Sequence, residues 1–208
     1  MDAYGSVREF ERSIAEYTGA PYAVSVDSCS NALALCCQYR KVWEYAEVEV
    51  PAITYPSAAS AVVHAGGRVK FTDLEWQRKG WYEMSPTGIV DSAKYLARGM
   101  FDEIDRPFIC LSFHIKKTIP IGRGGMILTY SQEAYEWLKA ARFDGRHETW
   151  LQKDTLGMAG WNCYMTPEQA SRGLALMQWL PDRNILPPDP YQDLSQYSFF
   201  TEANRSGI

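Results

Sequence analysis

Ser112-Phe113-His114-Ile115-Lys116-Lys117, followed by Gly122-Arg123-Gly124-Gly125, decides how the rest of the chain is read. The apolar run Phe108-Ile109-Cys110-Leu111 leads into it, and Met126-Ile127-Leu128 leaves it. That order predicts a strand, a polar loop with two lysines, a glycine turn and a second strand. It puts an amine on a loop at the edge of a sheet, where a cofactor or substrate could reach it. A lone lysine is ordinarily a solvated surface group. The placement gains meaning only if other residues build a site around it.

Upstream, Glu9 to Tyr17 is amphipathic, with Phe10, Ile14 and Tyr17 on one helical face. Thr18-Gly19-Ala20-Pro21 stops that helix, and Tyr22 to Val26 reads as a short buried strand. Ser28-Cys29-Ser30-Asn31 supplies cap residues ahead of a helix from Ala32 to Tyr39. Glu47 to Ile53 is a second strand, Ser57 to His64 a second helix, and Arg68 to Thr72 a third strand after the Gly66-Gly67 turn. Residues 73–88 read as loop and short hairpin, and Ile89-Val90-Asp91 as a brief strand ending in an acid.

Downstream, the spacing predicts a helix from Gln132 to Arg142, irregular chain over 144–164, and a helix from Pro167 to about Leu180. Met165, Ala170, Leu174 and Met177 would form its buried stripe. Four prolines between Pro181 and Asp193 predict irregular structure there. The alternation of strands and helices predicts an α/β fold: three layers, α/β/α, around a largely parallel mixed sheet.

The 208 residues suffice for one sizeable domain with a short appendage. A net charge of -4 and a pI near 5.4 argue against general affinity for nucleic acid or anionic membrane. No apolar stretch approaches the roughly 20 residues that cross a bilayer. Met1-Asp2-Ala3-Tyr4-Gly5-Ser6 lacks the basic-then-apolar pattern of a secretory leader. The five cysteines form no CxxC pair, so reduced, buried thiols in a cytoplasmic protein are expected. His64, His114 and His147 show no metal-ligand spacing, and no metal site is expected.

Each candidate has an ordinary explanation when taken alone. Ser28, Cys29 and Ser30 lie between a strand and a helix start, either as a simple N-cap or as an anion site of free N–H groups and hydroxyls. Tyr55, at the end of a strand, is either core packing or a ring that lies flat on a planar heterocycle. Asp91 either caps a helix at Ser92-Ala93 or pairs with a buried cation. Lys117 is either solvated or an amine that forms a Schiff base, with Lys116 helping by charge repulsion.

Taken together and in order, these segments resemble the DegT/StrS-type sugar aminotransferases, pyridoxal-phosphate (PLP) enzymes of the aspartate aminotransferase fold. The family's anchor, S-F-H-x-x-K followed by G-x-G-G, corresponds to Ser112 through Lys117 and Gly122 through Gly125. Phe10-Glu11 through Thr18-Gly19 and Ala23-Val24-Ser25-Val26 match the family's opening. Ser28-Cys29-Ser30-Asn31-Ala32-Leu33 stands where the family has a phosphate turn. Val50 to Tyr55 matches the segment with the ring-stacking aromatic, and Ala65-Gly66-Gly67 with Phe71-Thr72-Asp73 the segment after it. Asp91-Ser92-Ala93 matches the acid that pairs with the pyridine nitrogen. Gly160-Trp161-Asn162-Cys163-Tyr164-Met165-Thr166 resembles the loop whose asparagine reaches a neighbouring subunit's phosphate.

The resemblance implies a PLP-dependent aminotransferase of amino-sugar or polysaccharide biosynthesis. Its amino donor would be an amino acid, glutamate in most relatives, and its acceptor a keto group of a nucleotide-linked sugar. Lys117 would be the Schiff-base lysine and Asp91 the partner of the pyridinium. Tyr55 would stack on the ring, and Ser28, Cys29, Ser30 and Ser112 would hold the phosphate. Asn162 would act in trans within a homodimer. The chain reads as the PLP-binding large domain over 1–180 with a proline-rich tail over 181–208, without the family's smaller domain. Lys94 departs from the usual Gln or His, Cys29 from Gly, and Arg123 from an acid. The alternative is a catalytically impaired PLP-binding or scaffold relative. A sugar dehydratase of this fold would carry histidine where Lys117 stands.

Overall fold

The computed structural model describes residues 2–149 and 151–202. Helix α1 (Gly5–Thr18) ends where Gly19 takes a left-handed φ of 79° and its N–H closes on the Ala15 carbonyl at 2.9 Å. Glycine adopts that conformation without steric cost, which ends the helix there. Strand β1 (Tyr22–Val26) leads into α2 (Cys29–Tyr39), followed by β2 (Val48–Pro51), α3 (Ser57–His64) and β3 (Val69–Thr72). Three short strands come next: β4 (Tyr82–Met84), β5 (Ile89–Asp91) and β6 (Tyr95–Ala97). Then follow α4 (Met100–Ile104), β7 (Phe108–Ser112), β8 (Gly125–Thr129), α5 (Gln132–Ala141), α6 (Pro167–Met177), β9 (Arg183–Ile185) and α7 (Phe199–Glu202).

The main sheet has the order β1-β8-β7-β5-β4. β8 is antiparallel to both β1 and β7, β7 is parallel to β5, and β4 folds back on β5. Strands β1, β7 and β5 therefore share one direction, and β2 and β3 form a separate parallel pair. The Glu49 N–H donates to the Ser85 carbonyl at 2.7 Å, tying β2 to the chain just past β4. This is the α/β fold with a mixed, largely parallel sheet that the alternation predicts.

Side chains alternate between two cores, as the two-residue period of a strand requires. From β7, Phe108 and Cys110 enter one core with Val24, Ile89 and Ile127, while Ile109 and Leu111 enter the other with Ala23, Val90 and Met126. Residues of α2, α3 and α5 close the first core, and residues of α1, α4 and α6 the second. The result is three layers. Gly173 of α6 lies against Phe10 of α1, where a Cβ would come within 2.6 Å of the ring, so only glycine permits that approach.

A charged cluster is buried beside α1. Arg142 is 1% exposed and donates to Glu11, to the Ser25 carbonyl, to Ser25 Oγ at 2.8 Å and to Glu148 Oε1 at 2.7 Å. The surrounding cations hold the Glu11 carboxyl below its usual range although burial pushes it up.

The proline-rich stretch is more ordered than expected. Arg183–Ile185 forms β9, antiparallel to β6, with Tyr95 opposite Ile185 and Ala97 opposite Arg183. The prolines flank these three residues at 181, 187, 188 and 190, so the backbone donors of the strand are intact. Among the described residues no helix is long and apolar enough to cross a membrane.

Candidate active site

Strands β5 and β7 run parallel with Asp91 beside Cys110, so Asp91 and Ser112 emerge at the same end of the sheet. Gly125 pairs with both Val26 and Ser112, which brings the end of β1 and the start of α2 to that end too. A crevice outside the carboxyl ends of strands is where α/β sheets bind ligands. Here it is a cavity of about 560 Å³. Ser28, Cys29, Ser30, Tyr55, Asp91, Ser112 and Lys117 all line it.

Asp91 is almost fully buried. Its Oδ1 accepts the Ala93 N–H at 3.0 Å and its Oδ2 the Tyr82 hydroxyl at 3.1 Å. No helix begins at Ser92-Ala93; the carboxylate instead closes a turn into β6. Burial pushes the Asp91 carboxyl above its usual range, against the weaker opposite pull of its two hydrogen bonds and of Lys117. Tyr82 is itself fully buried, and its oxygen lies 2.9 Å from the Thr54 hydroxyl.

Lys117 is half-buried in the loop after β7. Its N–H donates to the His114 carbonyl at 2.8 Å, and the Ile115 N–H to the Gly122 carbonyl at 3.1 Å, which folds the loop back on itself. Gly122 takes a φ of 104°, and Gly124 one of 150° where a Cβ would meet Ile121 and Met165 at 2.9 Å. Gly125 answers a different need. A Cβ there would fall 2.6 Å from the Ser28 carbonyl carbon and 2.7 Å from the Cys29 nitrogen, so its bare backbone lets the start of α2 approach β8.

Ser28 behaves as the N-cap, its Oγ accepting the Asn31 N–H at 3.2 Å and donating to Asp27 Oδ1 at 3.0 Å. Arg123 forms an ion pair with Asp27 at 2.8 Å and also lines the cavity. Burial, with Asp91's charge behind it, pushes the half-buried Cys29 thiol well up. Tyr55 is 58% exposed and meets Tyr191 edge-on at 6.4 Å. Asn162 lies outside the cavity lining, exposed, with its Nδ2 donating to Asp144 Oδ2 at 2.9 Å.

Two further parts of the site went unread in the sequence. Tyr82 sits in a stretch taken as loop and hairpin, with no local sign that its hydroxyl meets Asp91. The segment 186–194 contributes Leu186, Pro187, Asp189, Tyr191 and others to the cavity wall, although its prolines read as tail. Lys94 holds that segment, its ammonium donating to Asp189 Oδ2 at 2.9 Å and to the Pro187 carbonyl.

The mixed α/β sheet is a fold shared with solved structures, several of them named as aminotransferases. One, from Streptococcus pneumoniae, is provisionally assigned as a sugar aminotransferase and solved in its PMP form; it matches with a TM-score of 0.70 at 20% identity, covering 85% of this chain and 59% of that one. An aminotransferase from Brucella abortus matches with a TM-score of 0.68 at 19% identity, covering 85% of this chain and 59% of that one. 3-Amino-5-hydroxybenzoic acid synthase matches with a TM-score of 0.68 at 21% identity, covering 84% and 56%.

The chain belongs to the DegT/DnrJ/EryC1/StrS aminotransferase family, whose model matches residues 1–84 and 104–185. The spore coat polysaccharide biosynthesis protein SpsC of Bacillus subtilis is 33% identical over 69 residues, which is 33% of this chain and 18% of that protein. The chain thus spans less than two thirds of the relatives it matches. Asp91 and Lys94 fall between the two matched stretches.

Proposed function

We propose that this chain binds pyridoxal phosphate covalently through Lys117 and transfers an amino group from an amino acid, glutamate, to a keto group of a nucleotide-linked sugar. The observation that carries this reading is that a half-buried amine and a buried carboxylate, Lys117 and Asp91, face one cavity. The lining suits the cofactor. A cavity of about 560 Å³ is within the range of small-molecule sites. Two serines at the N-terminus of the 11-residue helix α2 suit a phosphate. A carboxylate already raised by burial suits a cationic ring nitrogen.

When bound, the cofactor supplies an electron sink for the charge left as an amino acid loses its Cα proton. The chain's own groups do the rest. Asp91 stabilises positive charge at the ring nitrogen, oriented by Tyr82 and the Ala93 N–H. Tyr55 offers an exposed ring face for stacking. Ser28, Cys29, Ser30 and Ser112 hold the phosphate, while Arg123 neutralises Asp27, whose charge would otherwise repel it. Lys117 would hold the cofactor, and its amine would carry the substrate proton as base and acid. Asn162, exposed on its loop, would reach the phosphate of a second subunit in a homodimer. Residues 1–180 form the cofactor domain in this reading. A role in polysaccharide assembly agrees with the name of the Bacillus relative; in this reading the protein works in the cytoplasm on amino sugars.

Mixing purified protein with pyridoxal phosphate tests this. A yellow adduct should form, absent in Lys117→Ala, and glutamate should bleach it with release of 2-oxoglutarate. Colour without bleaching would point to the impaired, cofactor-binding alternative. No colour would refute both.

A further inference from the structure

Lys94 lies three residues beyond Asp91 and is 1% exposed. Its ammonium bonds Asp189 Oδ2 at 2.9 Å and the Pro187 carbonyl, and its own carbonyl accepts the Leu186 N–H at 2.9 Å. One residue therefore grips the segment 186–189 through both side chain and backbone. The Asp189 N–H donates to Gln77 Oε1 at 3.0 Å. Within the segment, the Tyr191 hydroxyl donates to Asp189 Oδ2 at 2.8 Å, and the Lys94 ammonium lies 5.7 Å from the Tyr191 ring centroid. Tyr191 also stacks on Trp76, with ring centroids 6.1 Å apart and planes inclined at 19°.

We propose that Lys94 is a positioning residue: acting through Asp189 and the Pro187 carbonyl, it docks residues 186–191 as a wall of the cavity and so slows escape of the cofactor. The retention part rests on the PLP reading above; the docking part does not. The electrostatics are asymmetric. With the segment docked, Lys94 is 1% exposed, whereas Asp189 is 44% exposed. In the docked arrangement Asp189 is the counter-charge of a buried ammonium, so removing that carboxylate leaves the charge uncompensated there. The prolines at 187, 188 and 190 restrict the undocked segment and reduce the entropy lost on docking.

Asp189→Asn keeps the shape and removes the counter-charge, Lys94→Met keeps the packing and removes the charge, and the double variant removes both. Hydrogen exchange in cofactor-free protein reads docking at the Leu186 and Asp189 amides, with β7 and β8 amides as the internal control. Cofactor dissociation is read from loss of the visible band on dilution. In Asp189→Asn, exchange at those two amides and cofactor release should each rise about tenfold, as for an uncompensated buried charge. The double variant should return to within about threefold of Lys94→Met, because the two positions are coupled. Exchange unchanged in both single variants, or raised equally in β7 and β8, overturns the docking claim. Faster exchange with unchanged cofactor release overturns retention. If the parent binds no PLP, retention falls with the functional reading, and exchange in the cofactor-free protein still decides whether Lys94 docks the segment.

Discussion

The Tyr82 hydroxyl stands 3.1 Å from Asp91 Oδ2 and donates to it, with the Thr54 hydroxyl 2.9 Å behind. The first contact comes from a register in which Tyr82 of β4 faces Asp91 of β5 directly. Thr54 can donate to the tyrosine oxygen while the tyrosine proton is committed to the carboxylate. A buried acid thereby keeps a fixed direction and a donor. Tyr82→Phe removes that donor, and a hydrogen bond to a charged group contributes about 1.5–3 kcal/mol. Titration of Tyr82→Phe with pyridoxal phosphate should give a dissociation constant raised about tenfold or more. An unchanged constant would show that Asp91 needs no orientation.

Asp91 should cost the cofactor-free protein stability. Burial raises its folded pKa above the unfolded value, so over the interval between them the folded state holds the extra proton. The cost is absent below the unfolded value, where both states are protonated, and reaches its full size as pH rises through the folded one. Asp91→Asn can still accept from Tyr82 and Ala93 without carrying a charge. Urea melts of the cofactor-free variant at pH 7 should show a gain on the order of 1 kcal/mol over the parent, shrinking toward zero in acid. The same variant should lose transamination.

Glu11 and Glu148 act in the opposite sense. Arg142 and Lys139 hold both carboxyls below their usual range despite burial, so their contribution is present above the unfolded pKa and disappears as pH falls through the folded one. The parent should therefore be acid-labile. Arg142→Met leaves Glu11 buried without its main partner, a change that costs about 3–5 kcal/mol. Thermal melts at pH 7 should show it as a fall of several degrees, and the acid limb of the stability profile should flatten.

Gly125→Ala pushes a methyl group into the backbone of Ser28 and Cys29. Overpacking of this kind costs about 1–3 kcal/mol. The strain falls on the start of α2, so phosphate affinity should suffer more than the fold. Binding of pyridoxal phosphate should weaken more than binding of pyridoxal. Equal weakening of both would locate the damage elsewhere.

Much of this architecture was legible. Tyr22–Val26, Ser57–His64 and Ile89–Asp91 were expected with the bounds they have, because period and punctuation agree locally at each. Seven of the residues that line the cavity stood out in the sequence through motif order, since no single one has a pattern of its own. What escaped was long-range. β6 and β9 are three residues each and pair across nearly the whole second half of the chain, leaving no periodicity to read. Lys94 was noted as a departure, but its partner Asp189 lies in a stretch where proline suggested only disorder of pattern. Asp91 was open to a capping reading because an acid at a strand end looks the same whether a helix or a turn follows.

Among the described residues β1 pairs in the main sheet with β8 alone, whose first residue pairs with the last of β1 about a hundred positions earlier. During synthesis the first strand must wait, unpaired, until residues 125–129 have left the ribosome, and α1 must wait longer still for α6 to cover Phe10. Such distant closure makes for slow folding and a prolonged interval in which an apolar edge is uncovered. Until both partners arrive, the apolar faces of β1 and α1 stay uncovered.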